Sequence, residues 1–429
     1  MQSGNKRFSL YDLILFICIA LEVLFSVYAK KFFDQPVNAF GFLFSGLAFG
    51  LVLLKKFYGQ TVLLNQNAPL ASRKTGAIMA ALCLLAISII TVNAGNIMTK
   101  IPVSLSSSDI IPTVQELCTR YLDGSFVYEP IEKFGYHLPV TYLPMQWMPY
   151  LIAEKGHFDY RWIALGIWLL ASLIVLIRSY RSSSLVVQLL APAALALSYF
   201  YICYYNDTMI GHTIEIMVAG YYMLLICSLN SSNAIFRGLV IGICLMSRYS
   251  LLLWLPLAAA VVWWAEPRKY FWQTVISIIV FIGIIYVIPF LSKDWGSFYR
   301  GYKYYDRSAL GEWQHINPLT NKPYHLYGGH GIAYKFYEIG DLPITERLKW
   351  LQKAHVICSL GVTALLGIWY WFHRKSIQHR IFLLGSCKIY LAVFLFFIQV
   401  PYLYLMIVGL FVSIAILFEQ GRYRVQQPS

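Results

Sequence analysis

Charge is what this chain has little of. Asp, Glu, Lys and Arg make up 13% of its 429 residues, and only 20 of those residues are acidic. A soluble domain carries about 25% charged residues, so a water-soluble globular fold is excluded. A disulfide framework is also missing. Seven of the eight cysteines (Cys18, Cys83, Cys203, Cys227, Cys244, Cys358 and Cys387) fall in or beside apolar runs, and only Cys118 lies in a long polar segment. They read as small buried hydrophobes. No Walker motif occurs, which speaks against an ATP-driven pump. His315, His325 and His330 stand at gaps that match no standard metal-ligand pattern. Internal repeats and low-complexity tracts are absent as well.

What is there is hydrophobic: 59% of the residues, with a mean hydropathy of +0.60. Several apolar runs reach the ~20 residues that cross a bilayer core. Within lipid each backbone N–H and C=O must be satisfied inside its own segment. The runs are continuously apolar and too long for the alternating strands of a β-barrel. The expected fold is therefore an all-α polytopic membrane protein. It forms one integral membrane domain over residues 1–429, with about twelve transmembrane helices. The candidate spans are 11–29, 37–54, 76–95, 162–178, 184–204, 212–229, 235–247, 250–265, 273–291, 354–372, 381–398 and 402–418. The first follows Lys6 and Arg7 and is read as a retained helix rather than a signal peptide.

The net charge of +14 sits mainly at span ends, where it signals topology rather than nucleic-acid binding. With the N-terminus in the cytoplasm, the inner loops hold Lys55, Lys56, Arg73, Lys74, Arg178, Arg181, Arg237, Arg268, Lys269, Arg374, Lys375, Arg380, Arg422 and Arg424. Lys30 and Lys31 are the exceptions. Both termini are thus expected in the cytoplasm. Two long loops, about 96–161 and 293–353, are expected outside, where long segments translocate largely regardless of charge. Membrane lipids are an expected partner through the same cations.

The first outer loop concentrates what charge the chain has: Asp109, Glu116, Arg120, Asp123, Glu129 and Glu132. Ser106-Ser-Ser-Asp109 before Pro112 reads as a helix N-cap. The run Ile111–Leu122 that follows carries apolar residues at spacings of three and four, which suits an interfacial helix. Gly124 ends it in the manner of a C-cap. A second interfacial helix is expected from Pro144, within a Tyr- and Trp-rich run too short to span.

Further along, Glu215 is expected about one turn inside an apolar helix, with His212 on the same face. A carboxylate inside the membrane is a functional candidate by default. Arg248 falls in the outer turn between two short spans, and a permanent, bidentate cation suits a phosphate. Lys388 falls in mid-span, to pair with a carboxylate or to snorkel. The second outer loop is rich in tyrosine and tryptophan, which suits a saccharide or a lipid interface.

Asp109, then Leu122-Asp-Gly-Ser-Phe-Val-Tyr128, then Tyr142-Leu-Pro144, set in a long outer loop after an early helix, resemble the GT-C superfamily. These are polytopic glycosyltransferases that use polyprenyl-phosphate sugars, and the bacterial mannosyltransferase-like branch is the most similar. The resemblance implies that Asp109 is the catalytic base. It implies a polyprenyl-phosphate-linked sugar donor, a glycan or lipid acceptor, and a bacterial inner-membrane location. Gly211-His-Thr-Ile-Glu215 has the spacing of a Gly-Gln-x-x-Asn-like motif of the family with different side chains. Arg248 stands where relatives often carry Lys. The candidate substrate-binding residues are Arg248, Glu215, His212, Glu116, Arg120 and Tyr128. Paired acidic residues common in the family are missing beside Asp109, which has Ser107 before it and Ile111 after. The sequence therefore fixes no metal ligand and no cofactor, and a divalent ion stands as an expectation of the resemblance alone. The competing function is a secondary transporter or lipid flippase, which would predict paired repeats and broken helices. A non-enzymatic membrane assembly factor would fit the composition but leave the loop charges unexplained.

Overall fold

The computed structural model describes residues 9–28, 34–64, 73–180, 192–193, 196–197, 199–200, 208–328 and 330–425. It is 74% helical. Seventeen helices order the described chain: α1 Leu10–Val23, α2 Gln35–Phe57, α3 Arg73–Lys100, α4 Ile110–Leu122, α5 Pro144–Trp147, α6 Leu151–Gly156, α7 Arg161–Tyr180, α8 Thr208–Gly211, α9 Glu215–Leu229, α10 Ala234–Leu245, α11 Leu255–Ala265, α12 Arg268–Ile282, α13 Gly296–Gln314, α14 Ala333–Tyr337, α15 Ile344–His373, α16 His379–Phe396 and α17 Leu403–Gln420. Seven helices among the described residues are long and apolar enough to cross a membrane, and α9, α10 and α11 are shorter apolar helices. The all-α membrane character is as expected, and the described residues do not establish a count of twelve spans. The expected span 184–204 lies mostly outside the described residues.

Two patterns of burial follow from composition. Helices α9, α16 and α17 are apolar on all sides and form the centre of the bundle. Helices α3, α12 and α15 keep large apolar side chains on the outside, among them Leu84, Ile279 and Leu365, as a lipid-facing wall requires. Glycines set the closest helix contact. A Cβ at Gly50 would lie 2.4 Å from Ile389, and one at Gly46 would lie 2.9 Å from Ala392. Small residues let helices in lipid approach at the backbone, which here brings α2 onto α16.

Contacts sort the chain into two ends. At one end Lys56 bonds Asp12 at 2.5 Å and Gln420 at 3.1 Å. There the strand Val62–Leu64 pairs antiparallel with Tyr423–Val425. Glu419 takes Arg178 and Asn230 at the same end. The long loops lie at the other end, where Met145 N–H donates to the Met246 carbonyl and Trp313 Nε1 to the Gln399 carbonyl. The first and last described residues therefore share one end, and both long loops share the opposite one.

Candidate functional site

Loop 1 folds as its capping residues dictate. Helix α4 ends at Gly124, whose φ of +76° suits a residue without Cβ. Ser125 N–H donates to the Arg120 carbonyl at 2.9 Å and Gly124 N–H to that of Tyr121 at 3.3 Å. That pair of bonds is a Schellman motif. Beyond it, Arg120 clamps the returning chain, donating to the carbonyls of Glu129 at 2.5 Å and Pro130 at 3.1 Å and to the Glu116 carboxylate at 2.8 Å. Lys133 also pairs with Glu116. Burial pushes the Glu116 carboxyl up, and Lys133 and Arg120 together outweigh it and hold it below its ordinary value. Tyr128 packs edge-on against Phe290, centroids 5.3 Å apart, and near Tyr286. Glu116, Arg120 and Tyr128 thus belong to the frame of the loop.

That frame delivers Tyr136. Ile131 and Leu138 form a β-bridge, and Gly135 at its turn has φ +83°. Tyr136 then donates its hydroxyl to the Asp109 carboxylate at 3.0 Å. Burial and the hydrogen bond to Asp109 push the Tyr136 phenol up to about 12. Asp109 occupies the N-cap position of α4, yet its side chain makes no capping bond. Ser108 Oγ serves instead, accepting from Ile110 N–H at 3.3 Å. The carboxylate is left to the site. Ser108 also donates to the His212 carbonyl at 3.2 Å, which ties the start of α4 to the α8–α9 junction.

At that junction the expectation for Glu215 needs correcting. The helix does not run through His212. It breaks after Gly211, and Glu215 opens α9 rather than sitting a turn inside it. Thr213 explains the break: its hydroxyl donates to the Met209 carbonyl at 2.7 Å and accepts from Glu215 N–H at 3.4 Å. A side-chain hydroxyl that bonds local backbone competes with the helix. His212 is therefore off the helical face of Glu215 and contributes through its backbone. The break is held by Arg161, which sequence reasoning had not singled out. It is buried and donates to the carbonyls of Ile101 at 2.6 Å, Met98 at 3.0 Å and Gly211 at 3.2 Å.

Glu215 pairs with Arg248, from the turn between α10 and α11. Burial disfavours the Arg248 charge, and Glu215 more than offsets it. The Arg248 Nε and Glu215 Oε2 atoms are both buried without a hydrogen-bond partner. Tyr142, partly buried, feels the Asp109 and Glu215 carboxylates and the Arg248 guanidinium together, and its phenol is pushed up first by desolvation and then by the two acids. Tyr305 and Tyr404 also face the field of Arg248. The Ser108–His212 bond and the Glu215–Arg248 pair thus bring the neighbourhoods of Asp109, Glu215 and Arg248, far apart in sequence, together at the loop end of the bundle.

Loop 2 and the start of α17 supply an adjoining wall. Tyr402 stacks on Tyr404, centroids 4.9 Å apart and planes 11° off parallel. His325 rests against Tyr402 at 4.7 Å and bonds Glu312 at 2.5 Å. Lys388 is resolved as a partner of a residue the sequence reading passed over: it pairs with Glu22 of α1 at 2.5 Å and donates to the Gly409 carbonyl at 2.9 Å, both side chains almost fully buried.

Among the described residues no three His, Cys, Asp or Glu side chains gather in a group that could hold a metal ion. No family model matches the chain, and no curated protein and no solved structure matches it.

Proposed function

We propose that this protein is a membrane glycosyltransferase that moves a sugar from a polyprenyl-phosphate donor to a glycan or lipid acceptor. The observation that carries this reading is the Glu215–Arg248 pair, tied through the Ser108–His212 bond to the start of α4, where the Asp109 carboxylate is released from capping. In this reading Asp109 accepts the proton of the acceptor hydroxyl. The hydroxyl oxygen then bonds the anomeric carbon as the bond from that carbon to the phosphate oxygen breaks. Polyprenyl phosphate leaves with the bonding electron pair, and Arg248 stabilises its charge. The unpartnered Arg248 Nε–H is a donor that a phosphate oxygen would fill. Tyr305 of loop 2 and the stacked Tyr402 and Tyr404 at the start of α17 give flat faces with polar edges beside the same spot, as a sugar acceptor requires. The protein then belongs in the bacterial inner membrane, with termini in the cytoplasm and the site outside.

A transporter or flippase draws on two other observations, the broken helix α8–α9 and the buried Glu22–Lys388 pair. Broken helices and intramembrane charges mark transport pathways. The deciding experiment gives the purified protein a radiolabelled polyprenyl-phosphate hexose with envelope lipid and glycan extracts, and in parallel loads sealed vesicles with the same donor. Release of polyprenyl phosphate with label moved to an acceptor supports the transferase. Donor flux across the vesicle wall without release sinks it.

A further inference from the structure

At the end of the bundle opposite the long loops, Glu266 occupies the turn between α11 and α12. Arg237 takes both its oxygens, at 2.9 Å and 2.7 Å. His379 Nε2 lies 3.1 Å from the first of these oxygens. Arg380 Nε lies 3.7 Å from that same oxygen, too far for a hydrogen bond. The Arg380 Nε atom is buried and has no acceptor. Two permanent guanidinium charges therefore share one carboxylate, and the second guanidinium is left with a buried donor unfilled. A buried donor without an acceptor is costly, and a buried cation is expected to be paired. The cluster can therefore take an anionic partner.

Its surroundings say what kind. Arg268, Lys269, Arg374 and Lys375 flank the two turns, and none of them is in an ion pair among the described residues. Arg268 instead lies over the Trp263 ring at 3.4 Å, and Arg374 over Trp371 at 4.3 Å. Trp264 and Trp371 meet edge to face at 4.9 Å, and each is exposed. From them an apolar wall runs up α15 through Phe372 and Ile368, both exposed. A soluble phosphate would need only the cations. Cations at the foot of an exposed tryptophan and aliphatic wall match an amphiphile, with the anionic group at the turns and the acyl chains along α15. Aromatic side chains of this kind settle at headgroup level, and basic clusters beside spanning helices bind anionic headgroups.

We propose that the corner formed by Glu266, His379, Arg380, Trp264 and Trp371 is a binding site for an anionic phospholipid, with the phosphate on Arg380. This site is separate from the loop-end cluster and independent of the transferase reading.

The test uses the full-length protein, delipidated in detergent and offered phosphatidylglycerol or phosphatidylcholine, with lipid occupancy read by native mass spectrometry. Phosphatidylglycerol should be retained in preference to phosphatidylcholine. Arg380→Gln should lower its apparent affinity about tenfold, the loss of one charge-assisted contact. Lys349→Gln, an exposed cation at the loop end, should leave it unchanged. Should Arg380→Gln fail to fold, the exposed pair Arg374→Gln/Lys375→Gln reads the same quantity, with a smaller loss expected. Equal retention of the two lipids overturns the proposal. So does unchanged occupancy in the folded Arg380 variant or, where that variant does not fold, in the double variant. If inorganic phosphate alone raises the thermal midpoint as much as phosphatidylglycerol does, the site is one for a soluble anion and the lipid assignment fails.

Discussion

Arg248 donates to the Glu215 carboxylate across 33 residues of sequence. The pair joins the turn after α10 to the first residue of α9, and one atom of each partner is left unfilled. Arg248→Ala removes a cation and strands a carboxylate. It is expected to cost about 1–3 kcal/mol of stability and to weaken binding of a polyprenyl-phosphate sugar. Arg248→Ala combined with Glu215→Gln should recover much of the stability and none of the donor affinity. Thermal unfolding and donor titration of the three proteins separate the two effects. Recovery of donor affinity in the double variant would take Arg248 out of the site.

Asp109 accepts from Tyr136 and caps nothing. Asp109→Asn and Asp109→Ala should therefore both leave the thermal midpoint close to wild type. Turnover should fall about 10²–10⁴-fold if the carboxylate is the general base. Tyr136→Phe keeps the base and loses one hydrogen bond, so its loss of turnover should be much smaller. An active Asp109→Asn protein would end the catalytic role and move attention to the other loop acids.

The helices at the surface of loop 1 were legible because their stop and start signals are local. Gly124 ends α4 and Pro144 starts α5 for reasons contained in a few neighbouring residues. Glu215 was misplaced because the break at Gly211 depends on the Thr213 hydroxyl bonding back to Met209, a choice that hydrophobic periodicity does not show. Tyr136 escaped notice because only the turn at Gly135 aims it at Asp109. Glu22 is a single acid in an apolar run, and its meaning rests on Lys388, which reaches it through tertiary packing alone. Charge position predicted that the two ends of the bundle would differ. It could not reveal that Arg161, read as the last residue of the first outer loop, ties three carbonyls together.

The Arg120 clamp carries a different expectation from the site residues. Arg120→Ala frees the carbonyls of Glu129 and Pro130 and leaves Glu116 with Lys133 alone. Limited proteolysis should then cut between residues 124 and 136 faster than in wild type, and turnover should fall together with that loss of order. Arg120→Ala with wild-type protease resistance and reduced donor affinity would instead mark Arg120 as a direct ligand contact.

The shared end of residues 9 and 425 and the opposite placement of both loops become a topology once one side is fixed. In a background without native cysteines, Glu312→Cys should react with an impermeant maleimide added to intact cells, and Arg424→Cys should react only after lysis. Label at position 424 in intact cells would invert the map and put the Asp109 cluster on the cytoplasmic side, where a sugar nucleotide could reach it.

Glu266 gives the acid dependence of the fold. Burial pushes its carboxyl up, and hydrogen bonds from His379 and Arg237 with their charges outweigh this and bring it down to about 2, from an ordinary 4.5. A carboxyl lowered on folding binds fewer protons in the native state than in the unfolded one between those two values. Its contribution is complete above pH 4.5 and drains away as the pH falls toward 2. The stability of the detergent-solubilised protein should therefore decline across that window. Glu266→Gln should be less stable near neutral pH, because Arg237 and Arg380 then face each other without a countercharge. It should also decline less steeply between pH 4.5 and 2, the window that the Glu266 titration sets. Chemical unfolding at a series of pH values gives both slopes. Equal slopes in the two proteins would mean that the Glu266 charge is not what couples this corner of the fold to acid.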